Sequence, residues 1–158
     1  MKKQVILLLL VVLAFGANLL SKDLILGEKI KTETITKISE IIENPDSFVD
    51  KTVRIEGYIV DGCKHHGTWI AIAGDKDFEK FPVWPKEGQI KFPIDHKGKY
   101  VIAEGTIYAV QLNEEQAIRW QQHLAKEHKT TFDPAMAKGG MKIYRLDPTG
   151  AVVKDTKE

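Results

Sequence analysis

The chain has 158 residues, with 23 Lys and Arg against 22 Asp and Glu and a formal net charge of +1. That balance lacks the basic excess with which proteins grip a phosphate backbone, so nucleic acid is not an expected partner. The single cysteine excludes an intramolecular disulfide framework, and its thiol must serve through burial, metal binding, reactivity or pairing with another chain.

In chain order, residues 1–20 read as a targeting segment. Lys2 and Lys3 precede an apolar run over residues 5–15, and Ala14-Phe15-Gly16 offers a small-x-small cleavage pattern. The run falls short of the ~20 apolar residues that span a bilayer. A cleaved signal is expected, with an uncleaved N-terminal membrane anchor as the alternative and a periplasmic or otherwise exported location in either case. Residues 21–34 are polar and lysine-rich and read as a linker. Residues 35–158 then form one domain, large enough to build a core without disulfide staples.

Ile38, Ile41 and Ile42 fall at helical spacing, and Asn44-Pro45 ends that short helix. Phe48 is expected to pin the following turn to the core. Residues 52–60 alternate as a strand, with Val53, Ile55, Gly57 and Ile59 on one face and Arg54, Glu56 and Tyr58 on the other. Residues 69–73 and 80–84 read as two further strands, the second confined to a sheet edge by Pro82 and Pro85. Ile90 and Phe92 are expected as inward anchors in an irregular stretch. Residues 100–112 carry the longest strand pattern. Asn113 and Gln116 make a capping box for a helix whose narrow apolar stripe is Ala117, Trp120 and Leu124. Residues 141–146 and 151–154 read as two short strands around the turn Asp147-Pro148-Thr149-Gly150.

Lys51-Thr-Val-Arg-Ile-Glu-Gly-Tyr-Ile is echoed by Lys99-Tyr-Val-Ile-Ala-Glu-Gly-Thr-Ile. A glycine at the same place inside two long strands marks a bulge or corner in each. The pattern as a whole predicts a mainly β protein: a small five-stranded OB-like barrel with a short N-terminal helix and an inserted helix after strand four.

The stretch Ile38-Ser39-Glu40-Ile41 with Asn44-Pro45, then Lys51 to Gly57, Cys63-x-x-x-Gly67-x-Trp69, Pro93 with Gly98-Lys99, and Glu104-Gly105 resembles a family of exported bacterial proteins known only as a domain of unknown function. The resemblance covers about residues 35–153 and implies an OB-like fold and export, with no established activity. The sharpest motif of that family is Cys-x-x-x-Gly-Cys-Trp-Met. Here Thr68 stands at the second cysteine and Ile70 at the methionine, so any use of paired thiols is lost.

Cys63, His65 and His66 offer sulfur and imidazole donors of the kind copper and zinc prefer, with His96 as a candidate third or fourth ligand. The other reading of this stretch is a solvated basic loop. Lys64, His65 and His66 would also lower the pKa of Cys63 if they surrounded it, giving a thiol-dependent redox accessory that pairs with a partner's sulfur. Trp69, Tyr58, Tyr108 and Trp84 are candidates for an aromatic ligand face of the OB type, where planar groups stack. The same aromatics could instead close the barrel. These features predict an exported, non-enzymatic binding or accessory module, with copper or zinc in the Cys63-His65-His66 loop, or an OB-type barrel that binds a small ligand or protein partner without metal.

Overall fold

The computed structural model describes residues 23–86 and 88–157. The expected signal over residues 1–20 lies outside them. Among the described residues no helix is long and apolar enough to cross a membrane. The expectation of an N-terminal anchor, both as a membrane contact and as a location, is corrected accordingly: no described element can serve as one.

Strand β1 (Leu24–Gly27) is followed by helix α1 (Ile38–Glu43), a 3-10 turn (Pro45–Phe48), and strands β2 (Thr52–Gly62), β3 (Ile70–Ala73), β4 (Lys80–Val83) and β5 (Tyr100–Leu112). Helix α2 (Glu114–His128), a second 3-10 turn (Pro134–Ala137) and strand β6 (Met141–Lys154) complete the chain. The strands β2-β3-β4-β6-β5 are bonded in that order, and β5 returns to β2, closing a barrel. All neighbours are antiparallel except β4 and β6, which meet in parallel at Val83 and Leu146. This is the OB-like topology with one extra strand: β1 lies outside the ring, on β6.

The core follows from strand alternation. Val53, Ile55 and Ile59 of β2 are buried, while Arg54 and Glu56 are half-buried and Tyr58 is exposed. They meet Ile70, Ile72, Phe81, Val83, Val101, Ile107 and Leu146 inside the barrel. Ile38 and Ile41 of α1 join the same core, as do Ile90 and Phe92, and Phe48 packs against it. Burial of each such side chain stabilises the fold by ~1.5–3 kcal/mol before entropy is counted.

The two echoed segments are neighbours. They pair antiparallel about Ile55 and Ala103, so that Val53 faces Gly105 and Gly57 faces Val101. Neither glycine has room for a side chain. A Cβ on Gly57 would lie 2.6 Å from the Ala73 carbonyl oxygen, and one on Gly105 would lie 2.1 Å from that of Asp147. The glycines let β3 and β6 cross their neighbours closely at the barrel corners.

Three expectations change. Part of the expected linker is β1, paired from Leu24 with Val153 to Gly27 with Gly150. Packing explains only part of it, since Leu26 packs against the core while Leu24 and Ile25 are exposed; the ladder supplies the rest, together with the Glu104 carboxylate. That carboxylate accepts the backbone N–H of Lys31 at 3.1 Å and of Thr32 at 2.5 Å. Second, β6 is one strand rather than two. Glu104 pairs with Gly150 and Gly105 with Pro148, so Thr149 is an extra residue in a bulge. A bulge tolerates proline, and the supposed turn residues bend the strand without ending it. Third, β4 is not an edge. The Trp84 N–H donates to the Leu146 carbonyl at 2.8 Å. By alternation Pro82 faces the same side, before pairing with β6 has begun, so its missing N–H costs no bond.

Candidate functional site

Residues 63–69 connect β2 to β3. The Cys63 N–H donates to the Trp69 carbonyl at 3.0 Å, closing the loop at its base, and Phe92 N–H donates to the Gly67 carbonyl at 2.9 Å, tying its far side to the core. Lys64, His65, His66 and Thr68 are exposed, and Cys63 is half-buried.

The geometry does not make this loop a metal centre. Among the described residues no group of three or more His, Cys, Asp or Glu is placed to hold a metal ion. What reaches the Cys63 Sγ from His66 is the backbone N–H, at 3.4 Å. The His65 and His66 rings stand 6.3 Å apart on the surface. His96 is buried, with Nδ1 2.5 Å from the Pro93 carbonyl oxygen. A carbonyl only accepts, so Nδ1 carries the proton. Its Nε2 points toward the backbone of Gly62, where a Cβ would come within 2.3 Å. The copper or zinc expectation, with Cys63, His65, His66 and His96 as ligands, is therefore set aside.

The loop instead surrounds the Cys63 sulfur with hydrogen-bond donors. The Thr68 hydroxyl, then the backbone N–H groups of His66, His65 and Thr68, hold the Cys63 pKa down to about 5. The sequence suggested lysine and histidine charge as the cause. Neutral hydrogen-bond donors do the work, and the most effective is the Thr68 hydroxyl.

Beside the loop, three side chains expected to form a ligand face do come together. Trp69 and Trp84 extend the β3–β4 ladder one step past its last pair, Ile70 with Val83, and their rings stack at 5.6 Å between centroids with a 9° interplanar angle. The Tyr108 hydroxyl donates to the Trp84 carbonyl at 3.1 Å. Tyr58 is not part of this group. It meets Tyr100 edge-on at 5.2 Å, its partner across β2 and β5.

Two cations and a third tryptophan complete the cluster. Arg145, directly opposite Tyr108 on β6, lays its guanidinium over Trp84 at 4.0 Å and near Trp120 of α2 at 5.6 Å. Lys86 Nζ sits 4.4 Å above the Tyr108 ring. All three tryptophans of the chain thus belong to one stack: Trp69, Trp84, Arg145, Trp120. Burial raises the Tyr108 pKa, with the Arg145 guanidinium opposing it, so the phenol stays protonated and able to donate. Sequence reasoning had counted Trp120 as helix stripe and passed over Arg145 and Lys86. The one available signal was alternation, which puts Tyr108 and, from Leu146 inward, Arg145 on outward faces.

The stack is built from the loop before β3, the end of β4, helix α2 between β5 and β6, and Arg145 of β6 itself. In an OB barrel the second and third strands and the loops after the first and fourth carry ligands, and a closed barrel of this kind is capable of binding a ligand or partner. No family model, no curated protein and no solved structure matches this chain.

Proposed function

We propose that the protein is an OB-type binding barrel whose working face is the stack of Trp69, Trp84, Arg145 and Trp120 with Tyr108 and Lys86. One observation carries the reading: among the described residues the Arg145 charge is held by two ring faces and a phenol, with no carboxylate paired to it. A guanidinium fixed in plane by aromatics keeps its donor fork ready for an anionic group. Rings beside it offer a platform for a planar or sugar surface. The favoured ligand is extended, with a stacking surface and a carboxylate, such as an acidic oligosaccharide or an acidic peptide.

Tryptophan emission reports binding directly, since every tryptophan lies in the stack. Titration with oligogalacturonate and with its neutral methyl ester should give a response to both, about tenfold tighter for the acid, a difference of ~1.4 kcal/mol. Arg145→Met should remove that preference, and Trp69→Ala should weaken both ligands. An acidic peptide series is the second arm. A flat emission signal across both ligand sets would refute the reading.

A second reading is favoured by the cradle around Cys63. A thiol held near pH 5 is thiolate at neutral pH and attacks a partner's disulfide or sulfenic acid. Alkylation by iodoacetamide should then keep its rate from pH 8 down to near pH 6, and Thr68→Val should move the profile toward that of an ordinary thiol. A wild-type rate that rises only near pH 8 to 9 would count against this reading.

A further inference from the structure

The β3–β4 hairpin, at the end of β3 away from the tryptophan stack, displays Phe78 fully exposed, with a relative exposure of 103%. Its φ is +65°, a region that disfavours bulky side chains. Two unfavourable conditions therefore coincide at one residue. The surrounding loop is not loose. Asp75 accepts from the Ser39 N–H at 2.9 Å and from the Ser39 hydroxyl at 2.6 Å. Lys76 is ion-paired with Glu43 of α1, and the Gly74 N–H donates to the Glu79 carbonyl at 2.9 Å. The hairpin is clamped to α1 through Asp75 and Lys76 on its leading side and closed on itself by the Gly74–Glu79 bond, and Phe78 stands out from it as a knob.

The matching hole is on the same face of the same chain. A groove of about 290 Å³ runs between α1 and the Tyr58–Tyr100 pair, and Gly74 and Asp75 of the hairpin form part of its wall. Ile35 and Tyr58 are exposed beside it. Its volume accommodates one phenyl ring, and the edge-on tyrosine pair offers that ring an aromatic partner. The groove wall carries Lys37 and Lys157 beside Glu56 and Asp75. Asp75 is held by Ser39, and Glu56 is paired with Arg54 and Lys157, which leaves Lys37 as the wall charge for Asp77, the residue before Phe78 in the knob.

We propose that the groove takes Phe78 from a second copy of this chain, with Asp77 of each copy meeting Lys37 of the other. Because knob and groove adjoin on one face, a two-fold axis lets both copies exchange at once, giving a closed dimer. A clamped aromatic anchor loses little freedom on docking, which is the property of a binding hot spot.

The test is sedimentation of the full chain across micromolar concentrations, with far-UV circular dichroism to show that each variant is folded. The wild type should dimerise reversibly. Phe78→Asp should weaken the dimer at least about tenfold. Lys37→Asp and Asp77→Lys should each weaken it, and the two together should restore it. That recovery separates charge pairing across copies from a general loss of fold. A chain that stays monomeric, or a dimer indifferent to Phe78→Asp, would overturn the proposal. So would flotation of the monomer with phosphatidylglycerol vesicles that is lost in Phe78→Asp, which would make a lipid surface the occupant.

Discussion

Strands β2 and β5 carry the same nine-position pattern and lie side by side about a local two-fold centre, each valine opposite the other's glycine. Their glycines play one role, the close passage of a neighbouring strand. Their glutamates do not. Glu104 is buried and accepts two backbone N–H groups from the segment after β1. Glu56 is partly exposed and bonds to side chains only: Arg54 at 3.5 Å, Lys157 at 3.8 Å and the Tyr100 hydroxyl. The position that touches backbone keeps its purpose across the repeat, and the position that reaches outward is free to take a local one.

Substitutions can break this comparison in graded steps. The largest loss is expected for Gly105→Ala, because the new methyl meets the Asp147 carbonyl and the Pro148 Cα, both backbone atoms in a bulge. A cost of ~4 kcal/mol or more, read from urea melts, places it among the severe core lesions. Gly57→Ala meets one backbone carbonyl oxygen and the γ2-methyl of the buried Ile72, one close backbone atom against several at Gly105, and ~2–3 kcal/mol is expected in the same assay. If the two were equal, the corners would not differ as described.

Glu104→Ala leaves two backbone donors without their acceptor, a loss of ~2 kcal/mol, with faster amide exchange at Lys31 and Thr32. Its pH dependence sharpens the point. Burial pushes the Glu104 pKa up, but the Thr32 and Lys31 hydrogen bonds outweigh it and the net shift is downward. A carboxylate lowered in the folded state contributes stability above its unfolded value, ~4.3, and that contribution is lost as pH falls through the folded value. Wild type should therefore lose more stability than Glu104→Gln on acidification from pH 6 to pH 3. Equal losses would show that the carboxylate charge is not what holds the segment. Glu56→Ala should cost less than Glu104→Ala, ~1 kcal/mol, since its ion pairs are long, at 3.5 and 3.8 Å, and the Tyr100 hydroxyl alone loses a close partner.

Much of the barrel was legible because its signals are local. Residues 100–112 carry the longest strand pattern and form one strand, and Asn113 and Gln116 do make reciprocal cap bonds at 2.9 and 3.0 Å. The echoed strands were readable as corners because glycine in a valine-rich strand has few other uses. What escaped depends on distant partners. Leu24–Gly27 is a strand only because Val153, Val152 and Ala151 lie beside it. Asp147-Pro148-Thr149-Gly150 reads as a turn until β5 pairs with the chain on either side of the Thr149 bulge. At the candidate site, Trp69, Trp84 and Tyr108 were visible as aromatics near strand ends. Arg145 was not, because nothing in its neighbourhood of sequence shows that two tryptophans from other elements will close over it.

The last pair of the β5–β6 ladder is Leu112 with Met141, so the strands already touch where α2 departs and returns. Residues 113–140 thus hang from the barrel like a handle whose two ends meet. Evolution could lengthen, trade or delete that handle without redrawing a single rung of the cylinder beneath it. An engineered Asn-Gly hairpin in its place would yield a bare barrel in which Arg145 keeps Trp84 and loses Trp120.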